Sequence, residues 1–205
     1  MISIEEARRL YTGAEAVHDF DHVLRVLALA ERLAQAEGAD LEIVRAAVLL
    51  HDMARGQDSD PHFDHAQAGA EYARRILAGH PPDRVEAVAH AIAAHRFRRG
   101  PTPQTIEAKV LYDADKLDAI GAIGVARAFS YGGHWGQRLW ATVPEGSTER
   151  FDFGSDHTPV HEYHVKLRRI KDRLLTESAR RLAEERHAFM DSFFKRLERE
   201  VHGEI

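Results

Sequence analysis

Residues 41–54, LEIVRAAVLLHDMA, decide how the chain is read. Ile43, Val44, Ala46, Ala47, Val48, Leu49 and Leu50 are apolar on nearly every side of a helix, the pattern of an element surrounded by others, and Asp40 stands ready as its N-cap. The helix runs straight into His51 and Asp52. An imidazole and a carboxylate at the end of a buried helix are costly unless each finds a partner. A metal ion would supply one to both.

Working outward, the pattern stays helical. Upstream, Val23, Val26, Leu27, Ala30, Leu33 and Ala34 recur at helical spacing between Asp21 and the closing Gly38, which puts His22 in a first turn. Ser3 and Glu6 have capping-box spacing for a short helix to Tyr11, ended by Gly13. Downstream, QDSDPH (57–62) reads as a loop, Ala66–Leu77 as a helix with His65 at its start, and Pro81, Pro82 and Asp83 introduce another through Val85, Val88, Ile92 and Ala93 that closes at His95 before the basic loop RFRRGPTP. From Glu107 a long helix is expected through Val110, Leu111, Leu117, Ile120 and Ile123, with Asp115 inside it and Gly121 and Gly124 admitting close neighbours. Residues 131–159 lack periodicity and form one long irregular segment, a candidate lid. Tyr163 to Thr176 and Glu177 to Val201 close the chain as two amphipathic helices. No strand alternation of comparable strength and no repeat occurs. The expected fold is all-α, with about eight helices in a single domain over 1–205, a metal-binding core at about 15–130 and C-terminal helices at about 160–203 packed on it.

Composition narrows the chemistry. There is no cysteine, which removes disulfides, thiolate metal sites and cysteine nucleophiles together and leaves His, Asp and Glu as metal ligands; there are 14 histidines. A net charge of −5 gives no footprint for a nucleic-acid polymer, so small anions fit better. The opening MISIEEARRL is no signal sequence, and no apolar run approaches a membrane span. A cytoplasmic protein with no membrane partner is expected.

Two His-Asp dipeptides occur, His18-Asp19 and His51-Asp52, where composition alone predicts about one. Order and setting carry more weight: HDFDHVLRV (18–26) at a helix entry, AVLLHDMA (47–54) closing an apolar helix, and LYDADKLDAIG (111–121) further on. With HAQAGA, IAAHRF, DADKLDAIGAIGVARAFSYGG and the long charged ending, these segments resemble the HD superfamily across nearly the whole chain, and most closely its bacterial branch that includes small nucleotide pyrophosphohydrolases.

The resemblance implies a compact HD-domain helical bundle in which His22, His51, Asp52 and Asp115 hold a divalent metal ion, with Asp113 and Asp118 as rivals for the last place. Two imidazoles and two carboxylates suit Mn2+, Mg2+, Fe2+ or Co2+, one per chain, and leave open positions for water and a phosphoryl oxygen. His65 and His95 fall where some relatives place extra ligands. They are catalytic candidates beside Asp52, with a second ion as the alternative. The competing account makes His22, Asp52 and Asp115 helix caps, or core groups satisfying one another.

His18, Arg25 and Lys116 are the expected substrate contacts, ahead of Arg55, Arg96 and Arg127. Tyr131, Trp135 and Trp140 either stack on a base or anchor the irregular segment, the latter being favoured. The implied activity is metal-dependent phosphohydrolysis of a small nucleotide, with nucleoside triphosphate pyrophosphohydrolysis preferred. The alternatives are a monophosphate phosphatase, a cyclic-nucleotide phosphodiesterase, oxygen-dependent chemistry if His65 and His95 hold a second iron, and a nucleotide sensor without turnover. The phosphodiesterase is weakened because no Gly-Tyr-Pro follows the central His-Asp pair. Phe189, Phe193 and Phe194 in the last helix suit core packing or a homodimer contact.

Overall fold

Helix-forming pattern and local capping account for most of the backbone. The computed structural model describes residues 1–11, 20–55, 63–96, 100–143 and 157–205. These carry α1 (Ile4–Arg8), α2 (Phe20–Glu37), α3 (Leu41–Leu50), α4 (His65–Ile76), α5 (Pro82–Ala93), α6 (Ile106–Leu117), α7 (Gly121–His134), α8 (Pro159–Val165), a 3-10 helix (Leu167–Arg173) and α9 (Glu177–Val201), with no strand among the described residues. The all-α class is as the sequence indicates. Gly13, the 57–62 loop and residues 144–156 of the candidate lid lie outside the described residues.

The chain divides into two units, Met1–Lys116 with Leu175–Ala179, and Leu117–Leu174 with Arg180–Ile205. In the first, α3 is the centre: Val44, Ala47, Val48 and Leu50 are fully buried, and the helix packs against α2 and α5, while α4 packs on α5. Asp40 caps α3 by accepting from the amides of Glu42 and Ile43, and Ser3 with Glu6 closes the capping box of α1. Gly69 brings α4 close to the end of α3, since a Cβ there would lie 3.4 Å from the His51 carbonyl oxygen and 3.3 Å from Ile92. Asp113 is also structural: its carboxylate accepts from the amides of Leu175 and Thr176 and from the Thr176 hydroxyl, fixing the approach to α9.

In the second unit Tyr163 stacks on Phe194 at 4.2 Å between ring centroids, and Phe129 meets Phe193 at 5.9 Å. Phe193 and Phe194 therefore pack internally, whereas Phe189 is exposed. Here the backbone differs from expectation in three places. The single helix expected from Glu107 through Ile123 is two, because the chain turns after Leu117 and restarts at Gly121, whose φ of +78° favours glycine. Gly124 serves this turn, for its Cβ would strike the Ala119 carbonyl, and Gly121 also admits a close neighbour, its Cβ position lying 3.0 Å from the Arg186 side chain on α9. The expected helix over Tyr163–Thr176 is instead α8 followed by the 3-10 segment. Finally, α7 extends to His134, so Tyr131 and Trp135 ride an ordered helix end, and Trp135 is 62% exposed rather than anchoring a loop.

Candidate metal centre

Five helices of the first unit each deliver a polar side chain to one place. His22 comes from the first turn of α2, His51 and Asp52 from the end of α3, His65 from the first residue of α4, His95 from just past α5, and Asp115 from the last turn of α6. His22, His51, Asp52 and His95 are at most 3% exposed.

Asp52 is the hub. Its Oδ2 faces His22 Nε2 at 3.8 Å and His51 Nε2 at 3.7 Å, while its Oδ1 faces His65 Nε2 at 3.8 Å and His95 Nε2 at 3.5 Å. Donor atoms of His22, His51 and Asp52 lie within 4.8 Å of one another, as do those of Asp52, His65 and His95. Asp115 adjoins the first group through its Oδ1, 3.4 Å from His22 Nε2.

Whether these residues fit a cation is decided by the imidazoles. His51 Nδ1 lies 2.7 Å from the Val48 carbonyl oxygen, which only accepts, so Nδ1 carries the proton and Nε2 presents its lone pair. That Nε2 is buried without a hydrogen-bond donor. His95 repeats the device, with Nδ1 2.6 Å from the Ile92 carbonyl oxygen. A ring oriented by a carbonyl behind it is the usual support of a metal-ligating histidine. Protonation agrees: burial, outweighing the nearby Asp52, holds both His51 and His65 down at about 4, so both are neutral at pH 7. Burial pushes the Asp52 carboxyl up, but His51, His95 and Arg55 outweigh it and hold it well below its ordinary value. At Asp115 burial is likewise outweighed, by Lys116 and His22. Neutral His51 and His65 beside the ionised Asp52 and Asp115 fit a divalent cation.

Of the rivals to Asp115, Asp113 holds the α9 approach and Asp118 pairs with Arg127 at 2.8 Å. Arg127 is thereby engaged in the second unit. Lys116 is buried and donates to Asp115 and to the His95 carbonyl. Arg25 is half-buried on α2, one turn beyond His22. Arg96 pairs with Asp64 at 3.0 Å, the residue that caps α4 ahead of His65. His18 lies outside the described residues.

Two neighbours escaped notice in the sequence. Arg55, weighed only as a phosphate contact, donates to both oxygens of Asp52, a pairing that three-residue spacing at a helix end permits. Tyr11 puts a buried hydroxyl near Asp52, and burial together with that carboxylate raises the phenol well above its ordinary value. No local signal marks Tyr11, because its neighbour is far along the chain.

Known proteins share this arrangement of sequence and fold. The HD domain profile matches residues 19–120. YpgQ of Bacillus subtilis is 34% identical over 99% of this chain and 97% of its own. The crystal structure of YpgQ in complex with ADP superposes with a TM-score of 0.75 at 32% identity, covering 97% of this chain and 98% of that one. An HD-superfamily hydrolase from Bacillus thuringiensis gives a TM-score of 0.73 at 28% identity, covering 97% and 94%. With His22, His65 and His95 at helix ends and the buried His51-Asp52 pair all inside that matched region, the chain belongs to the HD superfamily of metal-dependent phosphohydrolases.

Proposed function

We propose that the chain is a nucleoside triphosphate pyrophosphohydrolase. The observation that carries the reading is the Asp52 hub, in which one buried carboxylate is ringed by four histidine Nε2 atoms at 3.5–3.8 Å. That YpgQ crystallises with ADP supports a nucleotide with a phosphoanhydride as the ligand.

His22, His51, Asp52 and Asp115 would hold one divalent ion, with Mn2+ the first choice for this mixed set. A divalent ion held there would lower the pKa of a water and polarise a phosphoryl oxygen. The protein's own groups do the rest. His51 and His95, locked by carbonyls behind them, keep their lone pairs aimed inward without reorganisation. His65, the least buried of the four imidazoles, accepts a hydrogen bond from the attacking water at Nε2 and so orients it, with His95 beside it and Asp52 between them. Arg25, half-buried one turn beyond His22, would contact the phosphate chain. Water adds to the α-phosphorus, the bond to the bridging oxygen breaks, and pyrophosphate leaves with the nucleoside monophosphate as co-product.

The test is product analysis with a panel of nucleoside mono-, di- and triphosphates and Mn2+, Mg2+, Fe2+ or Co2+. Pyrophosphate from triphosphates is expected, and His51→Ala and Asp115→Ala are expected to lose activity by about a hundredfold or more. Release of orthophosphate alone, or full activity in both variants, would refute the assignment.

A further inference from the structure

Lys116 was expected on the substrate, but its surroundings assign it elsewhere. It is 8% exposed at the end of α6. An ammonium group has three donors and no acceptor. One is given to the His95 carbonyl oxygen at 2.9 Å and one to Asp115 Oδ2 at 2.5 Å. The ammonium also lies 5.0 Å from the centroid of the Tyr112 ring, where a cation is attracted by the face. Two donors are therefore given to protein acceptors of the centre itself, and the ring attracts the charge between them.

What these partners are gives the arrangement its meaning. Asp115 divides its oxygens, Oδ2 to Lys116 and Oδ1 to within 3.4 Å of His22 Nε2. The His95 carbonyl belongs to the residue whose ring faces Asp52 Oδ1. One buried cation thus touches both the carboxylate beside His22, on α6, and the backbone of His95, just past the end of α5.

We propose that Lys116 is a positioning residue of the metal centre: it holds Asp115 by one oxygen so that the other is presented beside His22, and it pins the backbone that carries His95. The inference rests on the metal-centre reading and adds a residue that touches neither ion nor substrate.

The sign of its effect separates this role from simple electrostatics. A lysine that is only a positive charge near a cation site repels the ion, and neutralising it tightens binding. A lysine that orients a ligand does the reverse, and loss of such outer partners typically weakens metal affinity about 10- to 100-fold. Mn2+ binding to wild type, Lys116→Met and Lys116→Gln is measured by titration calorimetry and by the paramagnetic resonance of free Mn2+, with nucleotide KM taken at saturating Mn2+. Weakening of Mn2+ binding by about tenfold or more is expected in both variants, with KM within about twofold of wild type. The glutamine keeps a donor for the His95 carbonyl, so it carries the test if the methionine variant lacks a cooperative melt. Unchanged or tighter Mn2+ binding would overturn the proposal, as would a raised KM at unchanged Mn2+ affinity, which would return Lys116 to the substrate. Failure of both variants to fold would also overturn it, by making Lys116 a residue of core stability. Wild-type protein that takes up no Mn2+ would remove the metal centre itself, an outcome distinct from equal uptake by wild type and variants.

Discussion

At the scale of the residue, the centre sets neutral His51 and His65 beside ionised Asp52 and Asp115 in a setting where burial opposes charge. His51 and His65 titrate at about 4 because burial disfavours the imidazolium, while an unfolded chain binds the same protons near 6.5. A folded-state pKa lowered in this way contributes stability above pH 6.5 and loses it as pH falls toward 4, since the unfolded state takes up protons first. In chelator-treated protein the urea midpoint is therefore expected to be level from pH 8 to 7 and to fall between pH 6.5 and 4. The decline should be reduced in His65→Gln, which removes one of the two groups. A midpoint that rises over this range would contradict neutral imidazoles. Much of this cluster was legible in the sequence, because His22, His51, Asp52 and Asp115 sit at helix positions with a characteristic order. Lys116 was legible as a neighbour of Asp115, but its hydrogen bond to the His95 carbonyl was not, for adjacency does not say where an ammonium's other donors go. Tyr11 was not legible at all, since its place beside Asp52 is made only by tertiary folding.

At the scale of the element, caps and turns set which residues reach the centre. Asp113 and Asp115 lie on one helix two residues apart, and their tasks diverge because they leave it in different directions. Asp113 turns to Leu175 and Thr176, whereas Asp115 turns to His22 and Lys116. Replacing Asp113 with alanine strips three donors of a buried acceptor, so Asp113→Ala is expected to cost about 2–3 kcal/mol of stability, read from denaturant unfolding. A variant as stable as wild type would show that the α9 approach is held by other means. The sequence marked α1, α2, α3 and α5 through periodicity, capping and proline placement. It missed the break between α6 and α7 because apolar residues keep helical spacing across it, and only the +78° φ of Gly121 reveals the turn. The 3-10 stretch at Leu167–Arg173 hides for a related reason, as its apolar spacing also suits an α-helix.

At the scale of the whole molecule, the described chain forms two units, and the entire Asp52-centred cluster belongs to the first. No described helix is long and apolar enough to cross a membrane. The HD domain match ends at residue 120, close to the last residue of the cluster, so the family's shared part is the part that builds the centre. No motif in the sequence reads an adenine or guanine edge, and the exposed Trp135 meets the rings of Tyr131 and His134. Anomalous scattering from crystals grown with Mn2+ would show whether His22, His51, Asp52 and Asp115 gather a divalent ion. One strong peak bounded by His22 Nε2, His51 Nε2 and the Asp52 and Asp115 carboxylates is the predicted result; a peak confined to other residues, or none at saturating Mn2+, would contradict it.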